Sequence, residues 1–275
     1  MFTAMRRRLP LAVLTSFILM AMSAVASANH SWGGYHWART SSPFTLKLGD
    51  NVSSAWDAYL GTASSDWSLS AVLDTSIVAG QTNPKNCRAS SGRVEVCNSS
   101  YGNNGWLGIA QIWISGSHIT QGVVKLNDTY FKTATYNSPA WRRLVMCQEV
   151  AHTLGLDHQD TTFGNQNLGT CMDYTNDPDG TLYNQLSNEH PNQHDYDELD
   201  IIYSHLDTMT TVGQTILPAQ MPPAMNLIDF DTPAQWGKSI RSSNLGRTEV
   251  FELDFGGGHK VFTFVIWVEE GRGRQ

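Results

Sequence analysis

The stretch "CQEVAHTLGLDHQD", Cys147 to Asp160, decides how this chain is read. On a helix, Gln148 and His152 are four residues apart and project from one face, one turn from each other. Glu149 lies beside them, three residues before His152. Gly155 permits a sharp turn, after which His158 can swing back toward the same point. Three side chains with a carboxylate alongside can hold Zn²⁺ with an open position and a base for water. Gln-Glu-x-x-His by itself is ordinary helix composition. A Glu followed by His-x-x-Gly-x-x-His, with the glycine ending the helix, is a far more specific arrangement.

Working outward, Ser138 and Pro139 announce the start of this helix, Ser as N-cap and Pro where a missing N–H costs nothing. Trp141, Leu144, Val145, Ala151 and Leu154 form its buried side. Upstream, strands are expected over Phe44 to Asp50, Leu69 to Gly80, "GRVEVCN", Trp106 to Ser115 and Gly122 to Phe131. A helix carrying Trp56, Tyr59 and Leu60 follows the first of them, with Ser53 or Ser54 available as a cap. Downstream, a loop from His158 to about Asn188 leads to a second long helix over His190 to Asp207, with Tyr196, Leu199, Ile202, Tyr203 and Leu206 on one face. Thr208 to Pro233 has the Thr, Met and Pro content of a linker. "RTEVFELDFGGGHKVFTFVIWVEE" reads as two strands joined through Gly256, Gly257 and Gly258. The "GKS" at Gly237 to Ser239 lacks the upstream glycine of a phosphate loop.

The chain has 275 residues and a formal net charge of −7. Arg6 to Arg8, an apolar run from Leu9 to about Ala24 and the small-x-small Ala26-Ser27-Ala28 read as a secretory signal peptide, by a general or a twin-arginine route. Cleavage after Ala28 removes three arginines and no acid, leaving about 247 residues with a charge of about −10 by this count. Such an acidic surface argues against nucleic acid and anionic membranes as partners. Four cysteines in an exported chain suggest two disulfides with three possible connectivities. Cys87–Cys97 would close a short loop, and Cys147–Cys171 would tie the candidate helix to the segment after it.

The chain resembles the metzincin metallopeptidases, matrixin- and adamalysin-like, whose pattern is His-Glu-x-x-His-x-x-Gly-x-x-His followed by a methionine turn. Glu149, His152, Gly155 and His158 match, and "GTCMDY" offers Met172 for the turn. The resemblance covers roughly Pro43 to Asp207. It implies an α+β fold with a twisted, mixed five-stranded sheet, an active-site helix and a C-terminal helix. The expected organisation is a signal peptide over 1–28, a catalytic domain over 29–207, and a linker with a small β-hairpin appendage over 208–275. The implied activity is that of a secreted, monomeric zinc endopeptidase acting on protein or peptide substrates. His152, His158 and Gln148 would hold the metal and Glu149 would be the base. Met172 would form a floor under the histidines, Tyr174 could stabilise an oxyanion, and Trp106 to Ser115 would pair with an extended peptide.

The first histidine of the family pattern is Gln148 here. An amide oxygen is a weaker zinc ligand than imidazole. Gln148 can ligate, hold a water that does, or give way to a recruited histidine such as His118, His190 or His194. The fifteen residues from Asn29 to Pro43 contain no cysteine that could latch a propeptide. The rival reading is therefore a pseudoprotease that binds peptides or proteins without cutting them. An ordinary structural use of the same residues would leave Glu149 a solvated carboxylate near Arg142 or Arg143. A calcium site among the Asp and Asn residues of 173–179 is a further possibility, against the commoner meaning of a solvated turn.

Overall fold

The computed structural model describes residues 30–214, 221–243 and 245–269. The signal peptide expected over 1–28 lies outside them. Nine strands and four α-helices follow one another in mixed α+β order among the described residues. The strands are β1 (His36–Trp37), β2 (Phe44–Asn51), β3 (Leu73–Ala79), β4 (Val94–Ser99), β5 (Trp106–Ser115), β6 (His118–Asn127), β7 (Lys238–Ser242), β8 (Thr248–Gly256) and β9 (His259–Trp267). The helices are α1 (Asp57–Trp67), α2 (Asp128–Phe131), α3 (Pro139–Thr153) and α4 (Gln193–Ile202).

One sheet runs β3-β2-β4-β6-β5-β9-β8-β7, and β1 pairs with the start of β6. Strands β3, β2, β4 and β6 are parallel; β5 turns back antiparallel to β6, and everything beyond it is antiparallel. The five expected strands are therefore present, but the sheet is wider than five. The C-terminal hairpin, expected as a small appendage, continues the sheet: β9 pairs with β5 from Trp106↔Trp267 to Ser115↔His259. The strand expected to pair with an extended peptide is thus paired on both sides.

The composition of β5 explains why. Leu107, Ala110, Ile112 and Ile114 enter the core beneath the helices, while Trp106, Ile109 and Trp113 enter a second core on the other face. A strand covered on both faces reads as a continuous apolar run, with no alternation. β9 has the same character: Phe262, Phe264 and Ile266 face the first core, and Val261, Val265 and Trp267 the second. Met225 and Phe230, from the segment read as linker, and Trp236 just after it close that second core.

Other boundaries move for local reasons. β6 ends at Asn127, whose side chain accepts the Thr129 N–H and opens the short α2. α4 starts at Gln193, because Asn192 and Asp195 form a reciprocal capping box. It stops at Ile202, and Asp207 instead accepts the backbone N–H of Arg39 at 3.0 Å. α1 starts after Trp56 with no side-chain cap, so neither Ser53 nor Ser54 serves as one. No helix among the described residues is long and apolar enough to cross a membrane. The disulfides are Cys87–Cys97 and Cys147–Cys171.

Candidate metal centre

Helix α3 carries the motif, and its ends form as the sequence requires. Ser138 Oγ accepts the Trp141 N–H at 3.2 Å, and Pro139 takes the first helical position. Gly155 follows the helix with φ +97°, and a Cβ there would stand 2.4 Å from the Tyr35 carbonyl oxygen. Both features exclude a side chain at this turn. The N-terminal segment pins the turn: Trp32 N donates to Gly155 O, and Asp157 N to His30 O. His158 is thereby brought back so that its ring lies 4.6 Å from that of His152, centroid to centroid, at 68°.

All four motif side chains are buried, Gln148 and Glu149 completely. The solvated role for Glu149 is therefore wrong, and the arginines are engaged elsewhere: Arg142 with Phe131 O and Asn137, Arg143 with Glu189. Both carboxyl oxygens of Glu149 lack a hydrogen-bond partner, as do His158 Nε2 and Oε1 of Gln148, while His158 Nδ1 faces Asp157 Oδ1 at 3.6 Å. Buried polar atoms without partners are costly, about 1–3 kcal/mol each. The Gln148 amide is oriented by one contact, its Nε2 donating to the Cys171 carbonyl at 2.6 Å. The Cys147–Cys171 disulfide holds that carbonyl against the helix. Oε1 is left as a free acceptor, the correct end for a cation. His152 Nδ1 lies 2.9 Å from the Leu156 carbonyl. An N–H there leaves Nε2 with its lone pair, the usual arrangement of a ligating histidine.

The electrostatics agree. Burial, with His158 adding to it, pushes the His152 imidazole well below its ordinary value, so it is neutral. Burial pushes the Glu149 carboxyl well up. Burial would also raise Asp157, but His158 and Arg241 outweigh it and hold that carboxyl below the usual range. A neutral imidazole and a lone-pair amide oxygen on one helix face, with a second histidine against them, fit a zinc ion.

The hairpin covers this centre. Phe264 of β9 stacks flat on His152, centroids 4.3 Å apart at 9°. Arg241 of β7 ion-pairs with Asp157. Tyr174 donates its hydroxyl to the Arg247 carbonyl at 2.9 Å, so it is packed and hydrogen-bonded to the hairpin. A cavity of about 210 Å³ lined by His158, Thr162, Arg241 and Ser243 lies over the loop after the helix. A second, of about 310 Å³, lies between Leu107, Trp141, Tyr174 and Trp267.

Met172 is fully buried in the core, and its carbonyl accepts the Gln159 N–H. The histidines named as substitutes have other partners: His190 pairs with Asp66, His194 with His30 and His118 with Asp207. In the 173–179 run, Asp177 accepts the N–H groups of Leu182 and Tyr183, and Asp179 that of Thr181, so these carboxylates build their own loop. Sequence reasoning missed Gly108 on β5. A Cβ there would meet Val145 Cγ1 at 2.6 Å and Glu149 Oε1 at 2.8 Å, so this glycine makes the room in which Glu149 sits. A glycine inside an apolar strand is a signal of such a close approach. No family model matches this sequence, and no curated protein matches it either.

Proposed function

We propose that the chain is an exported metallo-endopeptidase of metzincin type, held closed by its own C-terminal hairpin. The observation that carries the reading is the set of buried polar atoms without partners, Gln148 Oε1, the Glu149 oxygens and His158 Nε2, beside a neutral His152. Packing alone gives no reason to bury so many unmade hydrogen bonds. Held by His152, His158 and Gln148, a zinc ion would supply Lewis acidity to the scissile carbonyl and to the attacking water. Glu149, stored in a dry slot against Gly108, takes the proton of that water and passes it to the leaving amine. Cys171 orients Gln148, and the Leu156 carbonyl orients His152, so the chain fixes both ligands before substrate arrives.

Substrate would run along β5, where β9 now lies. β9 is antiparallel to β5, and Phe264 sits over His152, so the hairpin occupies the path of an extended peptide. The cavity at Trp141 and Tyr174 has a mixed lining, with Leu107 and Trp267 beside Asn176, Arg247 and Glu269, and has room for one side chain. Activity then requires displacement of β9. A second reading, a pseudoprotease, draws on the same covering: β5 is paired along its length, and Gln148 weakens the metal site.

Zinc content tests the metal half of the proposal. The mature chain should hold one equivalent more than His158→Ala. Gln148→His should keep the stoichiometry and bind about ten- to a hundredfold more tightly, given the ligand strengths involved. Equal zinc in wild type and His158→Ala would end the reading.

A further inference from the structure

Three side chains outside the motif, His36, His205 and Asp207, bring their ligand atoms together, and His118 lies beside them. His36 lies on β1, His118 at the start of β6, and His205 and Asp207 just beyond α4. His36, His118 and His205 place Nε2 at 3.5, 3.2 and 3.7 Å from Asp207 Oδ1. His205 Nε2 lies 3.2 Å from His36 Nε2. A tetrahedral zinc ion with ligands at about 2.0–2.1 Å places its ligand atoms about 3.3–3.4 Å from one another. The measured separations straddle that value.

The hydrogen-bond chemistry points the same way. His36 Nδ1 lies 2.9 Å from the Gly34 carbonyl. An N–H must be there, so in the neutral ring Nε2 carries only a lone pair. That lone pair lies 3.5 Å from Asp207 Oδ1 and 3.2 Å from His205 Nε2, facing the space the three groups share. Asp207 Oδ2 is turned away to accept the Arg39 N–H, which leaves Oδ1 for the cluster. Contacts of this kind, orienting ligands from behind, are what metal sites use.

We infer that His36, His205 and Asp207 form a zinc site. Two imidazoles and one carboxylate supply three ligands of a tetrahedral shell, and His118 stands beside it, hydrogen-bonded to Asp207. The site joins the N-terminal strand β1 to the segment after α4. His36 is buried, while His205 is 54 % exposed in its side chain, which gives the ion a way in. The site stands independently of the reading of α3, because it shares no residue with it.

The test uses the mature chain stripped of metal, titrated with zinc chloride against a chromophoric chelator, beside His205→Ala and His158→Ala. His205 is half exposed, so its removal leaves the core intact. His205→Ala should weaken one zinc equivalent at least about tenfold and abolish that equivalent's rise in melting temperature. His158→Ala should leave that equivalent unchanged, which separates this site from the one on α3. Zinc binding by His205→Ala equal to wild type, or no zinc bound by the wild-type chain, would overturn the inference, as would loss of all zinc in His158→Ala.

Discussion

The two histidine clusters are built in opposite ways. The one on α3 is local: Gln148, Glu149 and His152 share a helix, and His158 returns within six residues. It is sealed beneath Phe264. The other draws His36, His205 and Asp207 from segments up to 171 residues apart, and it opens to solvent at His205. A buried local cluster depends on packing for its shape, and an open distant one depends on the groups that tie it together. The two should therefore respond differently to substitution.

The largest expected effect is at the seal. Phe264 is fully buried, so Phe264→Ala should cost roughly 3–5 kcal/mol in denaturant unfolding. A cost under about 1 kcal/mol would mean the hairpin does not press on His152. Gly108→Ala comes next, at roughly 1–3 kcal/mol, because its Cβ would overpack Val145 and Glu149. The same measurement on Gly116, whose Cβ would meet nothing within 4 Å, isolates the clash from the strain of its positive φ. At the open cluster, His205→Ala without metal should change stability by under about 0.5 kcal/mol, as an exposed side chain does. With zinc it should become destabilising. An equal effect in both conditions would erase the contrast between the clusters.

A further effect is one of pH. His30, whose carbonyl accepts the Asp157 N–H in the turn before His158, is pushed down to about 4 by burial and by the adjacent His194. The unfolded imidazole takes its proton near 6.5. Between those pH values unfolding takes up a proton, so stability falls as pH is lowered through that window. His30→Asn should reduce the slope of stability against pH by about one proton there. An unchanged slope would show that His30 is not held neutral.

The difference between the clusters is also a difference in legibility. α3, its Ser138 cap and its Gly155 stop were readable because each is set by residues within a turn or two. β5 was readable in its bounds, but not in its neighbour. The apolar run "VFTFVIWV" had the signature of a strand covered on both faces, and its place beside β5 follows from that more naturally than an appendage does. β7 was missed because "KSIRS" is exposed throughout and has no apolar alternation to betray it. The second cluster had no local signal at all. His36 and His118 meet only through the β1–β6 register, and Asp207 reaches them only because α4 ends early. The covering of α3 was equally hidden, since it depends on which strand the hairpin chooses to pair.

The central claim, a hydrolytic metal centre closed by its own β9, is tested most directly by peptide cleavage. A fluorogenic peptide library would be incubated with the zinc-loaded mature chain, with Phe264→Ala, and with Phe264→Ala carrying Glu149→Gln. The account predicts little cleavage by wild type and more by Phe264→Ala. It also predicts a loss of about 10²–10⁴-fold when Glu149 is replaced, the usual scale for a general base. Zinc held at His158 with no cleavage by Phe264→Ala, or cleavage indifferent to Glu149, would contradict it and leave a protein that keeps the metal and does not cut.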